Sequence, residues 1–124
     1  MNNFTYPISY AVISDFTEDG LPRPRLRPCL LVIGSNSCSY CSKLAPEIQK
    51  LTYPLSKMGI KIIIVRAFDG DLVEERAILK RLPKLLGSKT INLPTLVFVD
   101  AKGRFKKWEG YETAPDILKN ITEF

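Results

Sequence analysis

The stretch that decides the fold is Cys29-Leu30-Leu31-Val32-Ile33-Gly34-Ser35-Asn36-Ser37-Cys38-Ser39-Tyr40-Cys41. Its apolar first part, residues 29–33, predicts a buried strand, because a strand covered on both faces is apolar throughout. The more polar residues 34–37 break that strand, and Ser37 is suited to cap a following helix. The sequence therefore predicts a pair of cysteines at the point where a buried strand passes into a helix.

The helix is expected to run from about Cys38 to Lys57. Four large apolar residues recur in it at helical spacing, namely Leu44, Ile48, Leu51 and Leu55. Pro46 lies inside the segment and is expected to kink the helix, and Pro54 to bend it again or end it.

The elements expected after this helix are a strand at 60–68, a helix at 71–82, a strand at 95–99, a turn at 100–103, a strand at 104–108 and a helix at 113–121. Asp71 and Thr113 are candidate N-caps, and Pro83 is placed to end the second helix. The strand after the turn is expected to pair antiparallel with the strand before it. This order predicts an α/β fold with a central mixed sheet, helices on both faces, and a right-handed crossover from the strand at Leu30 to the strand at Ile60.

The N-terminal residues 1–28 are expected to belong to the same domain as the core at 29–124. A strand is predicted at 8–16. The segment 21–28 alternates prolines with basic residues, a pattern that forbids a helix or a central strand. We interpret it as a surface connector, with an extended basic ligand for an acidic or aromatic groove as the alternative.

The composition is typical of a single soluble domain. The chain has 124 residues, of which 45% are hydrophobic and 25% charged. Its net charge of +5 favours acidic partners, but the basic residues are spread along the chain, so nucleic acid is not an expected partner. It has no histidine, which excludes Ser–His and Cys–His catalysis and removes the commonest transition-metal ligand.

Three cysteines are too few for a secreted disulfide framework. No apolar run reaches the roughly 18 residues that a membrane helix needs, so no membrane partner is expected. Residues 1–10 lack the basic and apolar regions of a signal peptide. We therefore expect a cytoplasmic protein, with a trimmed exported form as the alternative, and we expect a monomer.

The two cysteines Cys38 and Cys41 carry the predicted chemistry. A helix N-terminus offers free N–H groups and a partial positive charge, and both stabilise a thiolate, which is the nucleophilic form of cysteine. Cys38 is expected to be exposed and to attack a disulfide, and Cys41, one turn further in, to resolve the mixed disulfide. This chemistry needs no cofactor beyond a redox-active disulfide.

Zinc binding and an inert structural disulfide are the alternatives for this pair. Zinc needs four ligands, and only Cys29 remains, nine residues upstream at the far end of the preceding strand. No metal site is therefore expected, and Cys29 is interpreted as a small buried hydrophobe.

The chain resembles the thioredoxin-like superfamily over about residues 29–123. The resemblance is carried by Cys-x-x-Cys within a strand–helix–strand pattern, by Pro46 five residues after Cys41, and by Leu93-Pro94-Thr95 before an apolar strand. The turn at 100–103 and Gly110 resemble further features of the family.

The resemblance implies a cis bond at Pro94, in a loop that faces the two cysteines. The backbone of Leu93 would pair with an extended substrate, and Tyr40, Leu93, Pro94 and Thr95 are the implied substrate-binding residues. The alternative for Pro94 is a proline that merely begins a strand. The implied activity is disulfide reduction or exchange in cell redox homeostasis, with a disulfide-containing protein substrate and an external reductant such as a reductase or glutathione.

Three departures from the family pattern leave the subfamily open. Ser37 replaces the usual Trp, Val32 replaces a buried Asp, and Ser39-Tyr40 replaces Gly-Pro between the cysteines. A Tyr before the second cysteine is more typical of glutaredoxins and of Dsb-type oxidants. The alternative functions are therefore an oxidant of that kind and a protein-interaction module with an incidental dithiol. Lys43 either adds positive potential near the thiolate or belongs to a solvated helix face.

Overall fold

The computed structural model describes residues 3–67, 72–87 and 91–124. Its strands are β1 (Ser9–Tyr10), β2 (Cys29–Gly34), β3 (Lys61–Arg66), β4 (Thr95–Val99) and β5 (Phe105–Glu109). Its helices are α1 (Ser39–Lys57), α2 (Leu72–Leu86) and α3 (Ala114–Thr122). Short 3-10 turns lie at Ile13–Asp15 and Pro24–Leu26.

The five strands form one sheet in the order β1-β3-β2-β4-β5. The central strand β2 pairs parallel with β3, where Leu30 faces Ile62, and antiparallel with β4, where Leu30 faces Phe98. The strand β5 pairs antiparallel with β4, as the turn between them predicted. The sheet is therefore mixed, as expected.

Helices cover both faces of this sheet. Alternate residues of β2 point to opposite faces: Leu30 and Val32 pack with residues of α1 and α3, and Leu31 and Ile33 pack with residues of α2. This arrangement confirms the predicted α/β fold class. No helix among the described residues is long and apolar enough to cross a membrane.

The start of α1 differs from the expectation. Its N-cap is Cys38, whose backbone is extended and whose sulfur accepts the N–H of Cys41, so Ser37 is not the cap. The hydroxyl of Ser37 pairs instead with that of Ser35. Pro54 does not end the helix, because the buried Leu55 beyond it still packs on the sheet.

The second helix also outlasts its proline. Pro83 lies inside α2, and the buried Leu85 and Leu86 extend the packing beyond it. The helix ends where Gly87 adopts a φ of +70° and donates to the carbonyl of Pro83. The predicted cap Asp71 lies outside the described residues, as does residue 68 at the end of the predicted strand.

The N-terminal prediction was largely wrong. Only Ser9–Tyr10 of the expected strand at 8–16 pairs with the sheet, beside β3. The chain then turns at Ile13–Asp15, since the Asp15 carboxylate accepts the N–H of Val12 and stabilises the turn.

The basic proline segment is not uniformly extended, because Pro24–Leu26 forms a 3-10 turn. Its arginines bond to their own chain. Arg23 and Arg27 donate to backbone carbonyls, and Arg25 lies 3.6 Å from an oxygen of Asp15. These contacts tie the segment to itself and to the 3-10 turn at Ile13–Asp15.

The C-terminal helix is capped by a distant residue. Thr113 occupies the N-cap position, as predicted, but its side chain makes no capping bond. The buried carboxylate of Glu47, from the middle of α1, accepts the N–H of Ala114 at 2.9 Å. This bond fastens α3 to α1 on the same face of the sheet, and it lowers the pKa of Glu47.

Candidate active site

The sulfur of Cys38 lies at the N-terminus of α1. It is half-buried and accepts the backbone N–H of Cys41 at 3.3 Å. The carbonyl of the same residue begins the helix by accepting the N–H of Ser42. A helix N-terminus and an N–H donor both favour negative charge on the atom that they face. The local geometry therefore suits a nucleophilic sulfur at this position.

Cys41 lies one turn further along and is fully buried, in an apolar cluster with Val32 and Leu44. Burial, together with a hydrogen bond with Cys38, raises the pKa of the Cys41 thiol to about 11, against an opposing backbone hydrogen bond from Ser35. Cys41 consequently keeps its proton at neutral pH. The two sulfurs are thus placed in different environments, one partly open and one closed.

The residue Val32 stands where the family pattern has a buried Asp. Its side chain is fully buried in the same apolar cluster as Cys41. The surroundings of Cys41 are therefore apolar at this position, where Val32 offers no carboxylate to accept a proton.

A pair of serines shapes the loop before Cys38. The buried hydroxyl of Ser35 accepts the N–H of Ser37 at 3.2 Å and lies 2.9 Å from the Ser37 hydroxyl. The carbonyl of Ser35 accepts the N–H of Cys38 at 3.3 Å. Ser35 therefore contacts the loop and both cysteines. Sequence reasoning missed this role, because the polar residues 34–37 signalled only a break between strand and helix.

The loop before β4 completes the site. The Leu93–Pro94 bond is cis, and the carbonyl oxygen of Leu93 lies 3.7 Å from the Cys38 sulfur. Pro94 is buried, and its carbonyl accepts the N–H of Gly110 at 2.8 Å. Thr95 is buried as well, and its hydroxyl donates to the carbonyl of Asn92 within the loop. Of the three predicted loop residues, Leu93 thus contacts Cys38. Pro94 and Thr95 are buried and stabilise the loop through their hydrogen bonds.

Lys43, two residues after Cys41, contacts two tyrosines. Tyr40 is 58% exposed, and the Lys43 ammonium lies 5.9 Å from its ring centroid. The same ammonium lies 5.2 Å from the ring of Tyr111, the residue that follows Gly110. Sequence reasoning singled out Tyr40 and Lys43 but not the contact of Lys43 with Tyr111.

The third cysteine is separate from the pair. Cys29 begins β2, at the end opposite the active-site loop, and packs on the sheet face away from Cys41. Burial raises the pKa of its thiol to about 12. All three cysteines are free thiols, and no group of three metal-ligating side chains occurs within the described part of the chain.

Comparisons with known proteins bear on the family and the fold. A family model for a thioredoxin-like domain matches residues 23–124. The structure is similar to thioredoxin O2 from Arabidopsis thaliana in its oxidized state, with 18% identity and a TM-score of 0.66 over 94% of this chain and 91% of that one.

Two other solved structures share the fold. Chloroplastic thioredoxin z is 17% identical, with a TM-score of 0.63 over 98% of this chain and 96% of that one. The dsbF protein of MTB is 16% identical, with a TM-score of 0.58 over 79% of this chain and 81% of that one. No curated protein matches the sequence significantly.

Proposed function

Because the chain belongs to the thioredoxin-like domain family, we propose that it is a thiol–disulfide oxidoreductase working through Cys38 and Cys41. The observation that carries the proposal is the placement of the Cys38 sulfur. It lies between the Cys41 N–H, at 3.3 Å, and the carbonyl of Leu93, at 3.7 Å. A nucleophile at the N-terminus of a helix, beside the backbone carbonyl of Leu93, suits attack on a disulfide in an extended segment.

The proposed reaction has two steps. The Cys38 thiolate attacks one sulfur of a substrate disulfide, forms a mixed disulfide and releases the other substrate sulfur as a thiolate. Cys41 then loses its proton to solvent and attacks the Cys38 sulfur, which forms the Cys38–Cys41 disulfide and releases the second substrate thiolate. The substrate gains two electrons and the protein dithiol loses two.

The raised pKa of Cys41 supports this division of roles. A pKa of about 11 keeps Cys41 protonated while Cys38 reacts, so Cys41 does not compete for the substrate. It becomes reactive when the mixed disulfide holds a sulfur next to it. Val32, in the same apolar cluster, offers no carboxylate for that step, and solvent water is the proposed proton acceptor.

The proposed substrate is a protein disulfide in an extended segment. Its backbone would pair with Leu93 beside Cys38 while the exposed Tyr40 contacts its side chains. Pro94 and Thr95 stabilise the conformation of this loop through their hydrogen bonds. An external thiol reductant, a reductase or glutathione, would then restore the dithiol, and the protein would work as a cytoplasmic monomer without a metal or bound cofactor.

A disulfide-forming oxidant is the second candidate. Tyr40 favours it, because a tyrosine before the second cysteine is the pattern that the sequence shares with oxidising relatives. The two functions use the same residues and differ in the direction of electron flow.

Trapping the mixed disulfide tests the proposal. Reduced Cys41→Ser protein is mixed with insulin, whose disulfides serve as the probe, and adducts are separated without reductant. We expect a covalent adduct that dithiothreitol releases, and none from Cys38→Ser. The double variant Cys29→Ser/Cys41→Ser is the matched control and should still form the adduct. Absence of an adduct from Cys41→Ser, or its formation by Cys38→Ser, would contradict the proposal.

A further inference from the structure

The ammonium group of Lys43 is held between two aromatic rings that come from different parts of the fold. It lies 5.9 Å from the ring centroid of Tyr40 on α1 and 5.2 Å from that of Tyr111 after β5. A cation within about 6 Å of a ring face is attracted by the negative charge of that face. The two rings thus restrict a side chain that would otherwise sample many rotamers.

These contacts continue into the surface around Cys38. The Cys38 sulfur contacts the carbonyl of Leu93, and the next carbonyl, that of Pro94, accepts the N–H of Gly110. Tyr111 follows Gly110 directly. A series of contacts therefore leads from Cys38 through the loop to Tyr111 and Lys43, and Lys43 lies on the same helix that begins at Cys38.

The charge of Lys43 is available to a substrate. Lys43 is exposed and takes part in none of the ion pairs found among the described residues. The acidic residues on either side of Tyr111 have other partners within the chain. Glu109 accepts a hydrogen bond from Asn92, and Glu112 accepts one from Asn120.

We propose that Lys43 selects disulfides that are flanked by an acidic residue, with Tyr40 and Tyr111 holding the ammonium in place. This inference rests on the proposed oxidoreductase function and adds its substrate class. A substrate strand laid along Leu93 brings the residues next to its cysteine to the edge where Lys43 lies. A carboxylate there meets an oriented positive charge, and a lysine there is repelled.

The test compares two peptides of equal length, each with one internal disulfide. In one peptide glutamate flanks the cysteines, and in the other lysine does. The measurement is the second-order rate constant for reduction of each peptide by the pre-reduced protein at low salt. We expect the glutamate peptide to react roughly three- to fivefold faster, in line with an exposed charge pair. The preference should shrink in about 0.5 M salt, because exposed charges are screened there.

The variant Lys43→Glu should reverse the preference. Lys57→Glu is the matched control, because Lys57 lies at the other end of α1 and its ammonium also lies over a tyrosine, 4.7 Å from the ring of Tyr53. It changes the net charge equally and should leave the ratio of the two rates as in the unaltered protein.

Equal rates for both peptides would overturn the inference. The same change in Lys57→Glu as in Lys43→Glu would overturn it too, because it would assign the preference to net charge. A general effect of Lys43 on the thiolate would alter both rates equally and leave their ratio unchanged, which also contradicts it. If the unaltered protein reduces neither peptide, the proposed function itself fails.

Discussion

The backbone nitrogen of Cys41 lies 3.3 Å from the sulfur of Cys38 and donates its N–H to it. One contact thus caps α1 and fixes the position of the reactive sulfur relative to the second cysteine. Because the cap residue is itself the proposed nucleophile, helix formation also positions the proposed reactive sulfur. This relationship leads to the predictions that follow.

The three thiols should differ sharply in reactivity. Cys38 is half-buried, while Cys29 and Cys41 are fully buried, with pKa values raised to about 12 and about 11. We expect iodoacetamide at pH 7 to label Cys38 in the folded, reduced protein and to leave the other two unmodified. Mass spectrometry of a tryptic digest measures this. Unfolding in guanidinium should expose all three thiols, and comparable labelling of Cys41 before unfolding would contradict the site geometry.

Removing the Ser35 hydroxyl should loosen the active-site loop. The variant Ser35→Ala deprives the Ser37 N–H of its partner and is expected to lower the free energy of unfolding by about 1 to 2 kcal/mol. It should also change the rate at which Cys38 is alkylated. Ser37→Ala is the control, since it removes only the exposed member of the hydroxyl pair and should cost less than about 0.5 kcal/mol. Urea denaturation measures both, and equal costs would show that Ser35 has no special role.

The buried thiol of Cys29 should make the protein less stable in alkali. Its pKa is raised from the usual 9.0 to about 12, so the folded state keeps a proton that the unfolded chain loses. The contribution of the protonated Cys29 thiol to the free energy of unfolding is therefore complete below about pH 9. It is lost as the pH rises towards 12.

Comparison with Cys29→Ala isolates this effect. Between pH 8 and pH 11 the reduced unaltered protein should lose about 2 kcal/mol more unfolding free energy than the variant, whatever their difference at pH 8. Denaturant titrations at each pH measure the slopes. Parallel pH dependence would mean that Cys29 titrates normally in the folded state.

The N-terminal segment should contribute to the stability of the same domain. Gly20 has a φ of +83°, and a Cβ atom there would lie 2.4 Å from the carbonyl oxygen of Arg81 in α2. Gly20→Ala is therefore expected to cost more than about 2 kcal/mol, from backbone strain and a clash together. Gly59→Ala is the control, because its φ is +73° and no atom would lie within 4 Å of its Cβ, so only the strain of about 1 kcal/mol applies. Equal losses would show that the segment does not pack on α2.

The sequence predicted the central part of the fold because its signals there are local. The apolar run before Cys38 and the spacing of Leu44, Ile48 and Leu51 describe a strand and a helix without reference to the rest of the chain. Pro83 was misinterpreted, because buried leucines beyond it extend α2. The strand expected at 8–16 was too long, since a turn stabilised by Asp15 interrupts it.

The candidate site, like the fold, could be predicted from the sequence only in part. The cysteine pair and Pro94 belong to short motifs, so the sequence alone could propose them as site residues. The placement of Lys43 against Tyr111 depends on how β5 and the loop after it fold back beside α1, which no local pattern specifies. The hydroxyl of Ser35 contributes through its burial, and burial of a single serine has no signature in the sequence.

The reduction potential of the Cys38–Cys41 couple tests the central claim most directly. The protein is equilibrated in graded thiol–disulfide buffers, and its oxidised fraction is measured by alkylation and mass. We predict a two-electron couple near about −270 mV, the value of a thioredoxin reductant, that is lost in Cys38→Ser and retained in Cys29→Ala. A value of about −180 to −120 mV would instead make the protein an isomerase or an oxidant. If no two-electron couple titrates, the proposed oxidoreductase function is contradicted.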